Sequence, residues 1–462
     1  MNLEINNTTC EDIIFNGHYL EKLYFGNDLV WEKQHSNPYE SMYLTLEALD
    51  TGTIGMDGNG RSFSFDVSVD GGQTWTTKTL NSSSDAVGVS VNSGDKVMFR
   101  HNGNWSSGAT KEWQGSASDF WYNNNIHFSA TCPYKVYGNI MSMWWGDNFV
   151  GKTTFQDYGS SSSTATWTYK MLGLFAEKTQ TFVTVSQNPN NMIRPPWPLP
   201  TPGYNSSDRE YHCLVDAENL VIPLDGKEQV GYSQNKHMTY TYFCMFYNCI
   251  CLQKAPKWFN PTYVGEHDFD YTFANCWSMG SAPIDFDCYM DFLTGECFFK
   301  TFENCFWLVD GPKIFRPWYN MNTMYGGTAS HKECGSANIL TKGSYTGSLN
   351  TFLNCQSLVE TPTIYITGYL SGGSDPSTNG KYILSFYDSD LSEYHGVFGN
   401  CMSLEKINLL ELRGTSAGST NAILFSFTND GSYTITPVVS DTRASNRIIL
   451  PTGWTYNQIP EP

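Results

Sequence analysis

The sequence predicts a mainly β protein: a small N-terminal β module, a β-sandwich, then an irregular repeat solenoid with loop insertions. Three observations predict it. Only 16% of residues are charged while 15% are aromatic and 40 are Gly, a balance of strand and turn formers. Apolar and polar residues alternate with period two through several short segments. One motif, F-x-N-C-x-x-[LM], recurs five times in the second half of the chain. At 462 residues the chain exceeds one typical domain, so several units are expected.

The first unit spans 1–38. IIFNGHYLEKLYFGNDLVWEK reads as short strands with turns at Asn16-Gly17 and Gly26-Asn27, and Asn-Gly between apolar runs is a strong hairpin signal. Such a short region cannot build a sizeable core, so it is expected to dock on something else. The second unit, 39–150, alternates as a sandwich does, in Tyr43, Leu44 and Leu46, then FSFDVSV, then GVSVNSGDKVMFR. Its SVDGGQTW, Ser68 to Trp75, matches the Asp-box hairpin of sialidases. Those enzymes carry several copies and an arginine cluster; with one copy and sparse Arg, the match predicts a β-turn held by its Ser and Asp.

The third unit, 151–454, contains the repeat: FYNCICL from Phe246, FANCWSM from Phe273, FENCFWL from Phe302, FLNCQSL from Phe352 and FGNCMSL from Phe398. The separations are 27, 29, 50 and 46 residues. Four copies place a Pro four residues after the Leu or Met (Pro256, Pro283, Pro312, Pro362), and the fifth has Asn408, which suggests a terminal variant. Apolar residues at fixed offsets in a period of this size predict a leucine-rich-repeat solenoid. Phe246, Phe273, Phe302, Phe352 and Phe398 then pack between coils, with Cys249, Cys276, Cys305, Cys355 and Cys401 as soft filler, and each Asn bonds backbone where the coil turns. The uneven spacing implies insertions at about 176–213, 313–350 and 363–396, and residues 455–462 read as a C-terminal tail.

Charge and cysteines narrow the function. The net charge of −18 argues against general nucleic-acid binding and anionic membrane surfaces. No apolar run approaches the ~18 residues of a membrane helix, so no membrane insertion is expected. MNLEINNTTCEDIIF lacks a signal peptide's basic and apolar regions, so the chain is expected to fold in a cytoplasm, where thirteen cysteines without a CxxC pair stay reduced.

No motif predicts a catalytic, cofactor or metal site. GDNFVGKT, Gly146 to Thr153, spells the P-loop string, whose chemistry needs a helix N-terminus after the loop to receive phosphate. The residues that follow, TFQDYGSSSSTATWTY, are poor helix formers, and Phe149 and Val150 are bulky, so the match is read as chance at a domain seam. Cys244 with Cys249 and Cys251, and His331 with Cys334, suggest metal ligation only weakly. Asp285, Asp287 and Glu296 are carboxylates without a spacing that predicts a glycosidase. Trp197, Tyr204, Trp318, Tyr319, Tyr325, Tyr369 and Tyr387 stand among Gly, Ser, Asn and Pro, where rigid aromatics make candidate ligand-binding surfaces. The competing reading is that they anchor loops or pack against sister subunits.

The repeats resemble the BspA-like leucine-rich-repeat proteins of gut bacteria and their phages, whose signature is FxNCxxL followed by a nearby Pro. YLTLEAL, VSVDGGQTWTT, NSGDKVMFR and VYGNIMSMWWGDNF are similar to the β-domain that precedes such repeats, LVDAENLVIP to a first coil, and PTGW at 451–454 to a usual ending. The N-terminal pattern is similar to a small module that opens tailed-phage structural proteins, which implies docking through Phe15, Tyr24, Phe25, Val30 and Trp31. The resemblance thus implies a virion structural protein made in the host cytoplasm: a capsid- or tail-attached fibre or decoration, a homo-oligomer and by analogy with phage fibres a trimer, docked to other virion proteins and binding host surface or glycan without chemistry. The alternatives are a polysaccharide depolymerase and a secreted bacterial adhesin.

Overall fold

The computed structural model describes side chains at residues 37–57, 64–80, 87–102, 127–152, 173–177, 202, 213–223, 242–259, 268–283, 298–312, 351–362 and several positions from 398 to 408, and elsewhere the backbone of the strands named below. It is mainly β. Near the N-terminus β1 (Glu4–Ile5) pairs with β2 (Thr8–Thr9), β3 (Ile13–Phe15) with β4 (His18–Leu20), and β5 (Lys22–Phe25) with β6 (Asp28–Glu32), all antiparallel. The second and third hairpins pair Phe15 with His18 and Phe25 with Asp28, while the expected turn residues Asn16-Gly17 and Gly26-Asn27 lie outside the described residues. Phe15 lies on β3, Tyr24 and Phe25 on β5, and Val30 and Trp31 on β6.

A two-sheet region follows, made of β7 (Leu44–Ala48), β8 (Gly52–Gly58), β9 (Phe63–Ser68), β10 (Thr76–Leu80), β11 (Val87–Val91), β12 (Lys96–His101), β13 (Ile126–Ala130) and β14 (Tyr134–Asn139). One sheet runs β10-β9-β12-β7-β14 and the other β11-β8-β13, both antiparallel. The period-two pattern buries Leu44, Leu46, Phe65, Val97 and Phe99 against Ile54, Met56 and Phe128. The Phe99 ring sits 6.0 Å from Phe65 and 5.0 Å from Phe128, and so joins the two sheets. A single turn, α1 (Ser142–Trp145), then crosses below: the Ser142 hydroxyl accepts the Leu44 N–H (3.1 Å) and donates to the Phe99 carbonyl (2.9 Å). At Gly138, φ is +86° and an added Cβ would stand 2.2 Å from the Tyr43 carbonyl, so only glycine fits this crossing.

Beyond α1 come β15 (Gly203–Asn205) and β16 (Glu210–His212), an antiparallel hairpin, and then β17 (Leu214–Ile222). β17 pairs parallel with β14, so the first sheet passes into the repeats without a break. The remaining strands are β18 (Trp258–Phe259), β19 (Tyr263–Val264), β20 (Asp285–Met290), β21 (Ile314–Tyr319), β22 (Lys332–Glu333), β23 (Thr363–Ile366), β24 (Lys381–Tyr387), β25 (Lys406–Glu411), β26 (Ala422–Phe427), β27 (Val438–Asp441), β28 (Ile448–Ile449) and β29 (Thr455–Gln458). A parallel ladder runs β19-β20-β21-β23-β25-β27-β29, β22 adds antiparallel to β21, and a second parallel ladder runs β24-β26-β28.

The motif residues build the stack. The rings of Phe128, Phe175, Phe246, Phe273, Phe302, Phe352 and Phe398 form one column, neighbours 5.1–5.6 Å apart and within 15° of parallel. Each motif Cys donates its S–H to the carbonyl of the preceding coil's Phe, from Cys249 to Phe175 (3.1 Å) through Cys401 to Phe352 (3.1 Å). The motif Asn takes a left-handed φ of 61–64° at residues 248, 275, 304 and 354, the four described copies. Its amide donates to the Asn one coil back at 2.7 Å, giving a ladder Asn354–Asn304–Asn275–Asn248. A line of parallel bridges, Asp216–Lys254–Ser281–Asp310–Glu360–Lys406, places one residue per coil in register whatever the length of chain between coils.

Four sequence expectations are corrected. The first excursion begins after Glu177 and ends before Cys213, because Ala176, Glu177 and Cys213 are buried parts of a coil. The segments 313–350 and 363–396 open with ladder strands β21 and β23, since each motif Pro is followed by a β-forming run (IFRPWY, TIYI). Asn408 does not end the repeats: its N–H bonds Thr361 Oγ1 at 2.9 Å, a donor that Pro lacks, and β27 and β29 continue the ladder. Residues Thr455–Gln458, read as tail, form β29 on β27.

Candidate interaction surface

Pairing β19, β20 and β21 in parallel register puts one residue type at the same place in three successive strands. Tyr263 is opposite Tyr289, and Tyr289 opposite Trp318. Residues along a strand alternate between faces, so positions 285, 287 and 289 share one face with 314, 316 and 318. That face therefore carries the aromatic row and, two residues before it, Asp287 opposite Arg316. The other face holds Phe286, Phe315, Ile364 and Leu409 in one register line, apolar throughout. Neighbouring strands lie ~4.8 Å apart, so the row spans about 10 Å.

Of the seven aromatic candidates, Trp318 belongs to this row. Tyr319 is on the opposite face, opposite Met290, so two adjacent candidates cannot serve one surface. Both lie on a strand rather than in a loop; Pro317 between them is tolerated because β23 pairs only with Ile314 and Phe315. Tyr204 is on β15, and Tyr387 ends β24 opposite Phe427. Trp197, Tyr325 and Tyr369 lie outside the described residues, as do His331 and Thr153. Sequence reasoning missed Tyr263 and Tyr289, which become significant only through register; the signal available was their place 11 and 10 residues after Leu252 and Met279, against 10 for Trp318 after Leu308.

The other motifs resolve into structural roles. In the Asp-box match, Ser68 Oγ accepts the Gly72 N–H at 2.9 Å, and Asp70 accepts the Thr74 N–H (2.9 Å) and hydroxyl (2.6 Å). These bonds, the Thr74 hydroxyl first, hold the Asp70 carboxyl down at about 2. Trp75 from the same hairpin packs 4.9 Å from Tyr43, with the Arg100 guanidinium 4.1 Å over its ring.

The P-loop string forms the other wall of this cluster. Its Asp147 accepts from the Tyr43 hydroxyl (2.7 Å) and from Arg100, which also bonds Asp66 at 3.2 Å. Burial, then the bond to Asp147, raises the Tyr43 hydroxyl above its usual range. Phe149 is buried, and the Lys152 ammonium lies 4.3 Å from the Trp145 ring. The helical turn α1 precedes the string, whose Gly146–Asn148 forms one 3-10 turn, and the residues that follow Lys152 lie outside the described residues.

The cysteine trio does not converge. Cys249 packs in the main core, Cys244 beside Phe243 and Tyr247, and Cys251 beside Trp277 and Phe306. The nine described cysteines are buried free thiols, and burial pushes Cys244, Cys249, Cys305, Cys355 and Cys401 well up. A thiol so placed is core, not nucleophile. Among the described residues no group of three or more His, Cys, Asp or Glu is arranged to hold a metal, and no helix is long and apolar enough to cross a membrane. Comparison with protein-family models, with curated proteins and with solved structures gave no match.

Proposed function

We propose that the chain is a virion appendage of a tailed phage, a capsid- or tail-attached fibre or decoration that binds host-surface glycan without altering it. In this reading 1–38 docks to other virion proteins, 39–150 is a β-sandwich spacer, and 151–454 is a BspA-like leucine-rich-repeat solenoid that displays the binding face. The observation that carries it is the row Tyr263–Tyr289–Trp318 beside Asp287 and Arg316, one position repeated across three strands of a parallel ladder. Aromatic faces stack on sugar rings while a carboxylate and a guanidinium bond hydroxyl groups, which suits a polar polymer more than an apolar ligand. Binding through such a short row is weak per copy, so trimeric assembly and many copies per particle would supply the strength.

The test uses the full chain on a host-glycan array, with Trp318→Ala beside it. The expected result is binding by the parent, at least tenfold weaker in the variant, with the polymer unchanged. Release of reducing ends would replace this reading with a depolymerase; equal binding by the variant would remove the row from it. Docking is tested separately: a chain lacking 1–38 is expected to be absent from purified particles, and its presence there would overturn the docking role.

A further inference from the structure

The coil that joins the two-sheet region to the repeats carries a side chain unlike its successors. Two residues after the stacked Phe, later coils have Asn248, Asn275, Asn304 and Asn354; after Phe175 stands Glu177. Glu177 Oε1 accepts the N–H groups of Cys213 (2.7 Å) and Leu214 (2.8 Å), the first residues after the excursion. Its own N–H donates to the Tyr247 carbonyl of the next coil at 2.9 Å, while the Cys213 carbonyl accepts from Tyr134 of β14 at 2.8 Å. One carboxyl therefore ties together the two halves of its coil, and that coil is bonded to the two-sheet region on one side and the stack on the other.

Its second oxygen, Oε2, is buried and has no hydrogen-bond partner among the described residues. Among the described residues the titratable groups around it are Tyr134 of β14, Cys213 of its own coil, and Cys249 and Cys251 of the next, none of them a cation. Ionisation would leave a buried charge with one bare oxygen, far costlier than a neutral acid at the same place. Burial accordingly pushes the Glu177 carboxyl from 4.5 up to about 8, against the pull of the two backbone N–H donors.

We propose that Glu177 is a proton-operated latch: as a neutral acid it clamps the joint between the two-sheet region and the repeat stack, and on ionisation it loosens that joint. A carboxyl whose folded value is raised favours folding fully below about 4.5, and this contribution is lost as pH rises to about 8. Between those limits the group alone changes the folding equilibrium by up to about tenfold per pH unit.

The experiment is urea unfolding of the full chain and of Glu177→Gln from pH 5.5 to 9, with hydrogen exchange at the Cys213 and Leu214 amides corrected for chemical rate. Glutamine keeps the acceptor and cannot ionise. Expected is a parent whose stability and amide protection fall relative to Glu177→Gln with rising pH and level off above about 8. Parallel curves for the two proteins would overturn the latch. Should Glu177→Gln fail to fold, infrared spectra of the parent decide: a carboxylic-acid C=O band at pH 6.5 that disappears as pH passes about 8 supports the proposal, and its absence at pH 6.5 overturns it.

Discussion

Asparagine, a poor strand and helix former, recurs at residues 248, 275, 304 and 354 because two demands meet at its position. The backbone there is left-handed, with φ of 61° at Asn304, which Asn tolerates better than any other residue bearing a Cβ. The side chain must also both donate and accept, since Asn304 donates to Asn275 and accepts from Asn354, each at 2.7 Å. Asn304→Ala is therefore expected to lose about 3–5 kcal/mol, from a strained φ and two stranded amide groups. Asn304→Gly relieves the φ and should recover about 1 kcal/mol of that. Chemical denaturation distinguishes the two demands: a glycine variant as stable as the parent would mean that the amide ladder contributes nothing. His101 carries a pH dependence at the same scale. Burial lowers its imidazole to about 4, the nearby Asp66 opposing, so neutral His101 favours folding above its ordinary 6.5 and that contribution is lost as pH falls towards 4. His101→Gln should flatten the stability profile between those two values, and an unchanged acid slope would assign the loss to other groups.

At the scale of the element, stability comes from columns rather than from single contacts. Phe302 is buried between Phe273 (5.6 Å) and Phe352 (5.2 Å), so Phe302→Ala opens a void contacting two coils and should cost about 3–5 kcal/mol in thermal or urea unfolding. A loss below about 1 kcal/mol would mean that the coils collapse onto the gap. The column also explains what the sequence made legible. F-x-N-C-x-x-L names the ring, the turn amide and the thiol, three side chains that contact their own kind one coil away, so chemistry at those offsets repeats whatever the intervening length. The strand after each Pro obeys a looser rule. DFDCYM, IFRPWY and TIYI share only alternation and β-propensity, and Gly, Tyr and Ser around them resemble loop composition. Hence Trp318 was legible as an aromatic of interest but not as a strand residue, and Tyr263 and Tyr289 were marked only by their similar distance from the motif, because register between strands is a property of the assembled ladder. No copy of the motif stands after Leu404, so neither β27 nor β29 was marked by it, and only β29 fell outside the expected repeat unit.

For the whole molecule, the described residues on either side of residue 150 share apolar packing. Leu44 and Phe65, within the first hundred residues, and Phe352 and Leu404, beyond residue 350, belong to one continuous apolar cluster. β14 pairs with β7 on one side and β17 on the other, so no sheet edge separates the regions on either side of residue 150. Cores above ~250–300 residues usually divide; here the ring column from Phe128 to Phe398 carries apolar packing from one region into the other. Cutting the chain between 150 and 151 would bare the β14 edge and the Phe128 ring on one fragment and the β17 edge and the Phe175 ring on the other. An unpaired edge beside exposed aromatics is an aggregation surface. We therefore expect fragments 39–150 and 151–462 to be insoluble when made apart, and 39–462 to melt in one calorimetric transition. Two resolved transitions, or a soluble 151–462 with native circular dichroism, would show that the regions fold independently and that the shared core is contact without cooperation. The same measurement bears on the latch: if the body melts as one, opening at Glu177 is a local event within it, and protection at Cys213 and Leu214 must fall with pH before the melting temperature does.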